Sequence, residues 1–139
     1  MTNPSRRGDQ GPVDDFLDAV EHATIATTDA WDDAAVLDAT VPNWRFSVRG
    51  ADRIRAEYAG WFATPATFED LERTPLPDGE LVEYVLAWEE AGVPHAAHHV
   101  HRIRVRGARI VADTVFCGGR WPAALLAEME DAARAGARE

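Results

Sequence analysis

A chain of 139 residues is the size of one compact domain, with room for a core and a pocket but too short for a multidomain enzyme. All 14 positive charges are Arg against 24 Asp and Glu, and the resulting net charge of -10 argues against nucleic acid or anionic membrane as partners. The lone Cys117 excludes an internal disulfide and fits a cytoplasmic setting, and no apolar run reads as a secretory signal or a membrane span.

The first twelve residues read as a disordered tail, and residues 13–139 as a single domain. Val13, Phe16, Leu17, Val20 and Ala23 recur at three- and four-residue steps, which predicts an amphipathic helix to about Thr28. Thr28-Asp29 then looks able to cap a short second helix carrying Trp31, Ala34, Ala35 and Val36 as far as Asp38. Beyond Pro42, Trp44, Phe46 and Val48 alternate with Arg45, Ser47 and Arg49, the pattern of a half-buried strand. Asp52 is placed to cap a third helix, Arg53 to Phe62, with Ile54, Tyr58, Trp61 and Phe62 on one side.

A meander of strands follows. Thr67 onward reads as a strand ending in the turn Pro75 to Gly79. The next strand, Glu80 to Glu90, puts Val82, Tyr84, Leu86 and Trp88 on one face. The turn Ala91 to Pro94 launches a third, His95 to Arg106, with Ala97, His99, His101, Ile103 and Val105 inward. Gly107 reverses the chain into Arg109 to Gly118, with Val111, Asp113, Val115 and Cys117 inward and Gly118-Gly119 as its end. Pro122 opens a last helix bearing Leu125, Leu126 and Met129.

The chemistry concentrates on the hairpin about Gly107. Antiparallel pairing around that turn places His101 opposite or diagonal to Asp113 on the apolar face of the sheet. A carboxylate there fixes the imidazole tautomer and stabilises the imidazolium, as a general base working near neutral pH requires. The same pair equally serves as a structural hydrogen bond in a filled core. His95, His99 and His101, with Asp113 as a carboxylate, also form a looser metal-type set, and the favoured reading assigns no metal. Tyr58, Trp61, Tyr84 and Trp88 are core or ligand platform, and Cys117 is a small buried hydrophobe rather than a nucleophile.

The order of elements, with Asp38-Ala39-Thr40-Val41 entering a strand, Gly50 opening a helix and the run His101-Arg102-Ile103-Arg104-Val105, resembles the nuclear transport factor 2-like superfamily over residues 13–121. That resemblance implies an α+β fold, a cone-shaped curved antiparallel or mixed sheet wrapped around N-terminal helices, with a C-terminal helix. Against ketosteroid isomerase, Asn43 falls where the general base would sit, His101 at the oxyanion-hole Asp, Tyr58 at a helix Tyr and Ala19 near the catalytic Tyr, leaving that mechanism without its base and its principal donor. SnoaL-like polyketide cyclases are similar in a His on the penultimate strand and an Asp on the last, here His101 and Asp113. The resemblance then implies acid/base catalysis without a cofactor on a small apolar carbonyl compound, of cyclase, isomerase or dehydratase type. Val82, Tyr84, Leu86, Trp88, His99, Val115 and Cys117 would form its pocket wall, with Tyr58 and Trp121 at the mouth and His99 and Asn43 orienting substrate oxygens. A non-catalytic small-molecule-binding module of the same fold is the alternative, and a homodimer through a convex sheet face carrying Arg102 and Arg104 is compatible with both.

Overall fold

The computed structural model describes residues 11–138. Most of the tail expected over residues 1–12 lies outside that range, and Pro12 already stands at the first position of helix α1, Pro12–His22. Its fixed backbone angle suits that position, Asp14 and Asp15 complement the positive helix end, and Ala23 closes the helix in a left-handed conformation (φ 59°). The buried side of α1 is Val13, Phe16, Leu17, Ala19 and Val20.

After a single 3-10 turn, Ile25–Thr27, the chain enters β1, Trp31–Val41. The short helix expected there does not form. Trp31, Ala35, Leu37 and Ala39 are sealed, and the strict alternation from Ala35 to Ala39 is that of a strand, although Trp31, Ala35 and Ala39 also stand at four-residue steps. Between Trp31 and Val36 the pairing with the last strand jumps from Ile110 to Ala112, so Asp32 to Ala34 bulge outward, with the Ala34 N–H donating to Asp32 Oδ2 at 3.0 Å. Alternation is least visible over that bulge, which is why the stretch mimics a helix.

Strand β2, Trp44–Arg49, returns beside β1, and helix α2, Ala51–Trp61, follows with Ile54 and Tyr58 sealed. Gly50 rather than Asp52 holds its N-cap position. Strands β3, Thr67–Leu76, β4, Gly79–Glu90, β5, Val93–Arg106, and β6, Arg109–Pro122, complete a six-stranded sheet in the order β2-β1-β6-β5-β4-β3. All neighbours are antiparallel except β1 and β6. Gly79 is required at the start of β4, because a Cβ there would lie 1.8 Å from the Ile103 carbonyl oxygen.

Two details of β6 differ from expectation. A shift in pairing between Arg104 and Val105 seals Ile110 in place of Val111. Gly118-Gly119 do not end the strand either: both lie between the pairs His99–Cys117 and Ala97–Arg120, so the ladder continues across a glycine bulge with Gly119 at φ 117°.

Helices α1 and α2 cover one face of the curved sheet and enclose the core, where each buried Phe, Leu or Ile contributes roughly 1.5–3 kcal/mol. The last helix, α3, Ala123–Arg138, begins one residue after Pro122 and lies against the ends of β5 and β6, leaving Leu125 and Met129 exposed. Among the described residues no helix is long and apolar enough to cross a membrane.

Candidate active site

Strand alternation carries His99, His101 and Ile103 inward on β5, Asp113, Val115 and Cys117 inward on β6, and Val82, Tyr84 and Leu86 inward on β4. His101 pairs with Val115 and Ile103 with Asp113, so the imidazole and carboxylate meet on the diagonal, with His101 Nδ1 3.0 Å from Asp113 Oδ1. The Tyr58 hydroxyl, delivered by α2, donates to Asp113 Oδ2 at 2.7 Å. On the far side of the His101 ring, Nε2 lies 2.9 Å from the Tyr84 hydroxyl, and that same hydroxyl lies 2.9 Å from His99 Nδ1. Five side chains from four elements therefore form one continuous hydrogen-bonded line: Tyr58, Asp113, His101, Tyr84, His99.

The line runs from a sealed interior to an opening. His101 is 0% and Asp113 1% exposed, with Phe16 edge-on to the His101 ring at 5.3 Å and Tyr84 stacked on it at 5.6 Å. Neither lines the cleft beside them. His99, by contrast, lines a cleft of about 410 Å3. Leu86 and Trp88 of β4, Ala97 of β5, Trp61 and Gly60 of α2, Val41 and Pro42 at the β1–β2 turn, and Cys117, Gly119 and Arg120 of β6 complete its walls. The Arg120 guanidinium stands 5.4 Å from the Trp88 ring centre and bonds Glu90, which also accepts from Trp88 Nε1 at 3.0 Å.

Burial and neighbouring charge fix the protonation of most of this line. The Tyr58 hydroxyl is pushed well above the usual phenol range, first by desolvation and then by the Asp113 charge, and Tyr84 is raised for the same reasons, so both remain hydroxyls. Desolvation, followed by the neighbouring His101 and His98, brings His99 down to about 3, so its ring is neutral at neutral pH. Burial pushes the Cys117 thiol up, away from a thiolate, despite a hydrogen bond from the Gly119 N–H. His99 is itself only 4% exposed. Its Nε2 has no protein partner yet is not fully sealed, since Trp31 Nε1 is the one sealed, unpartnered side-chain nitrogen or oxygen among the described residues, so the small exposure of this ring lies on the cleft it lines.

The sequence-predicted site residues divide accordingly. Trp61, Leu86, Trp88, His99 and Cys117 line the cleft. His101, Asp113, Tyr58, Tyr84, Val82 and Val115 are sealed behind it, so Tyr58 is not at the mouth. Asn43 occupies the exposed two-residue turn between β1 and β2 at φ 63°, a backbone role that Asn tolerates, and does not line the cleft. Trp121 lies against the Gly118-Gly119 backbone, where a Cβ would come within 3.3 Å of its ring. The metal-type set does not converge: His99 Nδ1 and His101 Nε2 both face the Tyr84 hydroxyl, while His95 stacks on Trp88 and bonds the Val93 carbonyl.

Sequence reasoning missed Arg120, because Gly118-Gly119 looked like the end of the strand. It also missed the junction at Tyr84. The signal for that was present: a turn at Ala91-Gly92 sets Tyr84 opposite His99 in the β4–β5 ladder.

No family model and no curated protein matches the chain. Solved structures do. A candidate isomerase from Bacillus subtilis superposes with a TM-score of 0.63 at 16% identity, covering 77% of this chain and 84% of that one. A nuclear transport factor 2-like protein of unknown function from Burkholderia xenovorans gives 0.56 at 19%, covering 77% and 80%. A protein of ketosteroid isomerase-like fold from Catenulispora acidiphila, solved in complex with trimethylamine, gives 0.56 at 16%, covering 77% and 85%. At these identities the likeness is one of fold.

Proposed function

Starting from the nuclear transport factor 2-like α+β fold that this chain adopts, we propose that it is a cofactor-independent acid/base enzyme of isomerase, cyclase or dehydratase type. Its substrate is a small, largely apolar carbonyl compound, and His99 is the group that meets it. The observation behind this reading is the open Nε2 of a neutral imidazole on the wall of an apolar cleft, supported through Tyr84 by a buried imidazole and carboxylate. A cleft of about 410 Å3 lies within the roughly 300–1,000 Å3 range of small-molecule pockets. Its largely apolar walls receive the apolar body of a carbon acid, and the imidazole removes the proton beside the carbonyl. His101 and Asp113 act through His99 as positioning residues, and Trp61, Leu86, Trp88 and Cys117 shape the cleft.

Deuterium exchange beside the carbonyl of small cyclic ketones, and conversion of 3-cyclohexenone to 2-cyclohexenone, test the reading. Exchange should be catalysed by the protein and fall on the order of 10²- to 10⁴-fold in His99→Gln. Equal exchange in the variant would overturn it.

One observation favours a second reading: the imidazole–carboxylate pair of His101 and Asp113 is sealed from the cleft. Stoichiometric binding of a small organic ligand without any exchange would establish the binding module instead. In either case we assign a small apolar or aromatic ligand as partner, a homodimer through the outer sheet face where Arg102 and Arg104 stand and Phe116 is 54% exposed, and a cytoplasmic location in keeping with the free thiol of Cys117.

A further inference from the structure

Resting on the reading of His99 as the proton acceptor, we infer that the Tyr84 hydroxyl is a two-way proton relay which stores the substrate's proton on His101 and turns His99 from acceptor into donor. The argument is one of counting hydrogens. Tyr84 has one hydroxyl proton and faces two imidazole nitrogens, His99 Nδ1 and His101 Nε2, each at 2.9 Å. It can donate to one and must accept from the other, so one of those two nitrogens, and only one, carries a hydrogen. The carboxylate decides which. Asp113 accepts at both oxygens, from Tyr58 and from His101 Nδ1. His101 in its neutral form therefore carries its hydrogen on Nδ1 and presents a bare Nε2, which receives the Tyr84 hydroxyl proton. His99 Nδ1 must then donate to the Tyr84 oxygen, and His99 Nε2 is left bare toward the cleft.

When a substrate C–H delivers its proton to that Nε2, the His99 Nδ1 hydrogen passes to the Tyr84 oxygen as the Tyr84 proton passes to His101 Nε2. Two hydrogen bonds exchange sense and no heavy atom moves. The carbon acid becomes an enolate, His101 becomes an imidazolium against Asp113, and His99 remains neutral with its hydrogen now on Nε2. That N–H is placed to protonate the enolate at a second carbon, which reverses the relay and restores the starting state.

The charges around the two rings favour this storage. His99 is packed by Trp61 of α2 and Phe62 just after it, Tyr84 of β4, Cys117 of β6 and His101 of its own strand. Arg120 lines the same cleft, and His98 points outward to Glu83. No carboxylate faces the His99 ring among the described residues. His101 is packed by Phe16 of α1, Tyr58 of α2, Tyr84 of β4 and, from β6, Val115 and the Asp113 carboxylate at 3.0 Å. A positive charge is stabilised at the second ring and not at the first.

The test is made on the free protein. Long-range proton–nitrogen correlation spectra of 15N-labelled protein resolve the ring nitrogens of its 5 histidines as the pH is lowered from 8 to 4. At pH 8 both His99 and His101 should carry hydrogen on Nδ1. As acid is added, His101 should become doubly protonated while His99 stays neutral and switches its hydrogen to Nε2. His99 protonated at Nε2 at pH 8, or His99 becoming imidazolium before His101, overturns the relay without recourse to any variant. In Tyr84→Phe the two rings should titrate without the coupled switch, and kcat for ketone exchange should fall by at least about tenfold with KM little changed. A His99-dependent exchange that Tyr84→Phe leaves intact would overturn the relay and spare the acid/base reading. The coupled switch in a protein that exchanges no ketone would uphold the relay and overturn that reading.

Discussion

His99 and His101 are two residues apart on one strand, face the same way and lie 6.0 Å apart between ring centres, yet they occupy different worlds. One ring sits under Phe16 and Tyr58 with a carboxylate at its Nδ1; the other borders an open cleft beside Trp61 and Cys117. The deep region can hold charge but cannot meet a ligand. The shallow region can meet a ligand but disfavours charge. A hydroxyl shared between them joins what neither has alone, and the candidate chemistry lies in that division rather than in either ring.

The strongest way to break the contrast is Asp113→Ala, which strands the Tyr58 hydroxyl and His101 Nδ1 in a sealed core. Urea unfolding should show a loss of about 3–5 kcal/mol, the usual result of removing one partner of a buried pair. A loss under about 1 kcal/mol would mean that the deep region does not depend on its carboxylate. His99→Gln probes the other side: stability should fall by about 1–3 kcal/mol, the cost of disturbing one buried hydrogen bond and less than for Asp113→Ala, while the catalysed ketone exchange described above collapses. Equal damage to stability from both substitutions would erase the distinction.

Acid should sharpen it. The unfolded chain protonates His99 near 6.5, whereas the folded chain resists until about 3. Between those values the unfolded state binds the extra proton, so the contribution of neutral His99 to stability is complete above pH 6.5 and erodes as pH falls, by up to about 1.4 kcal/mol per pH unit. Urea midpoints of wild type and His99→Gln, measured from pH 7 to 4, should diverge in that direction, with the variant less acid-sensitive. The smallest effect belongs to a site remote from both rings. Arg73 bridges Glu80 and Asp14, tying α1 to the sheet at a partly exposed position, and Arg73→Ala should cost no more than about 1 kcal/mol in the same assay.

Much of the meander was legible because Val82, Tyr84 and Leu86, like Ala97, His99 and His101, alternate without interruption between recognisable turns. The meeting of His101 and Asp113 followed from the turn at Gly107, and its diagonal form lay within the expected register. Legibility failed where alternation breaks. The Asp32 to Ala34 bulge disguised β1 as a helix, since pairing of β1 with β6, distant in sequence, decides its structure and leaves no local mark. The site was half legible for a related reason. Periodicity reports which way a side chain points but not how deep it lies, so Val115, Tyr84 and His101 looked as near to a ligand as His99. Depth is set by Phe16 and Tyr58, which arrive from two helices.

The glycine pair in β6 has one more implication. In an uninterrupted strand, Cys117 and Arg120, three apart, would project to opposite sides; the extra residue at Gly118-Gly119 brings both to the entrance. Adding or deleting a single residue at that step would exchange the cation at the doorway for another side chain and leave the Asp113–His101–Tyr84 chain untouched. The shape and charge of the threshold can thus change with one residue while the hydrogen-bonded interior stays constant.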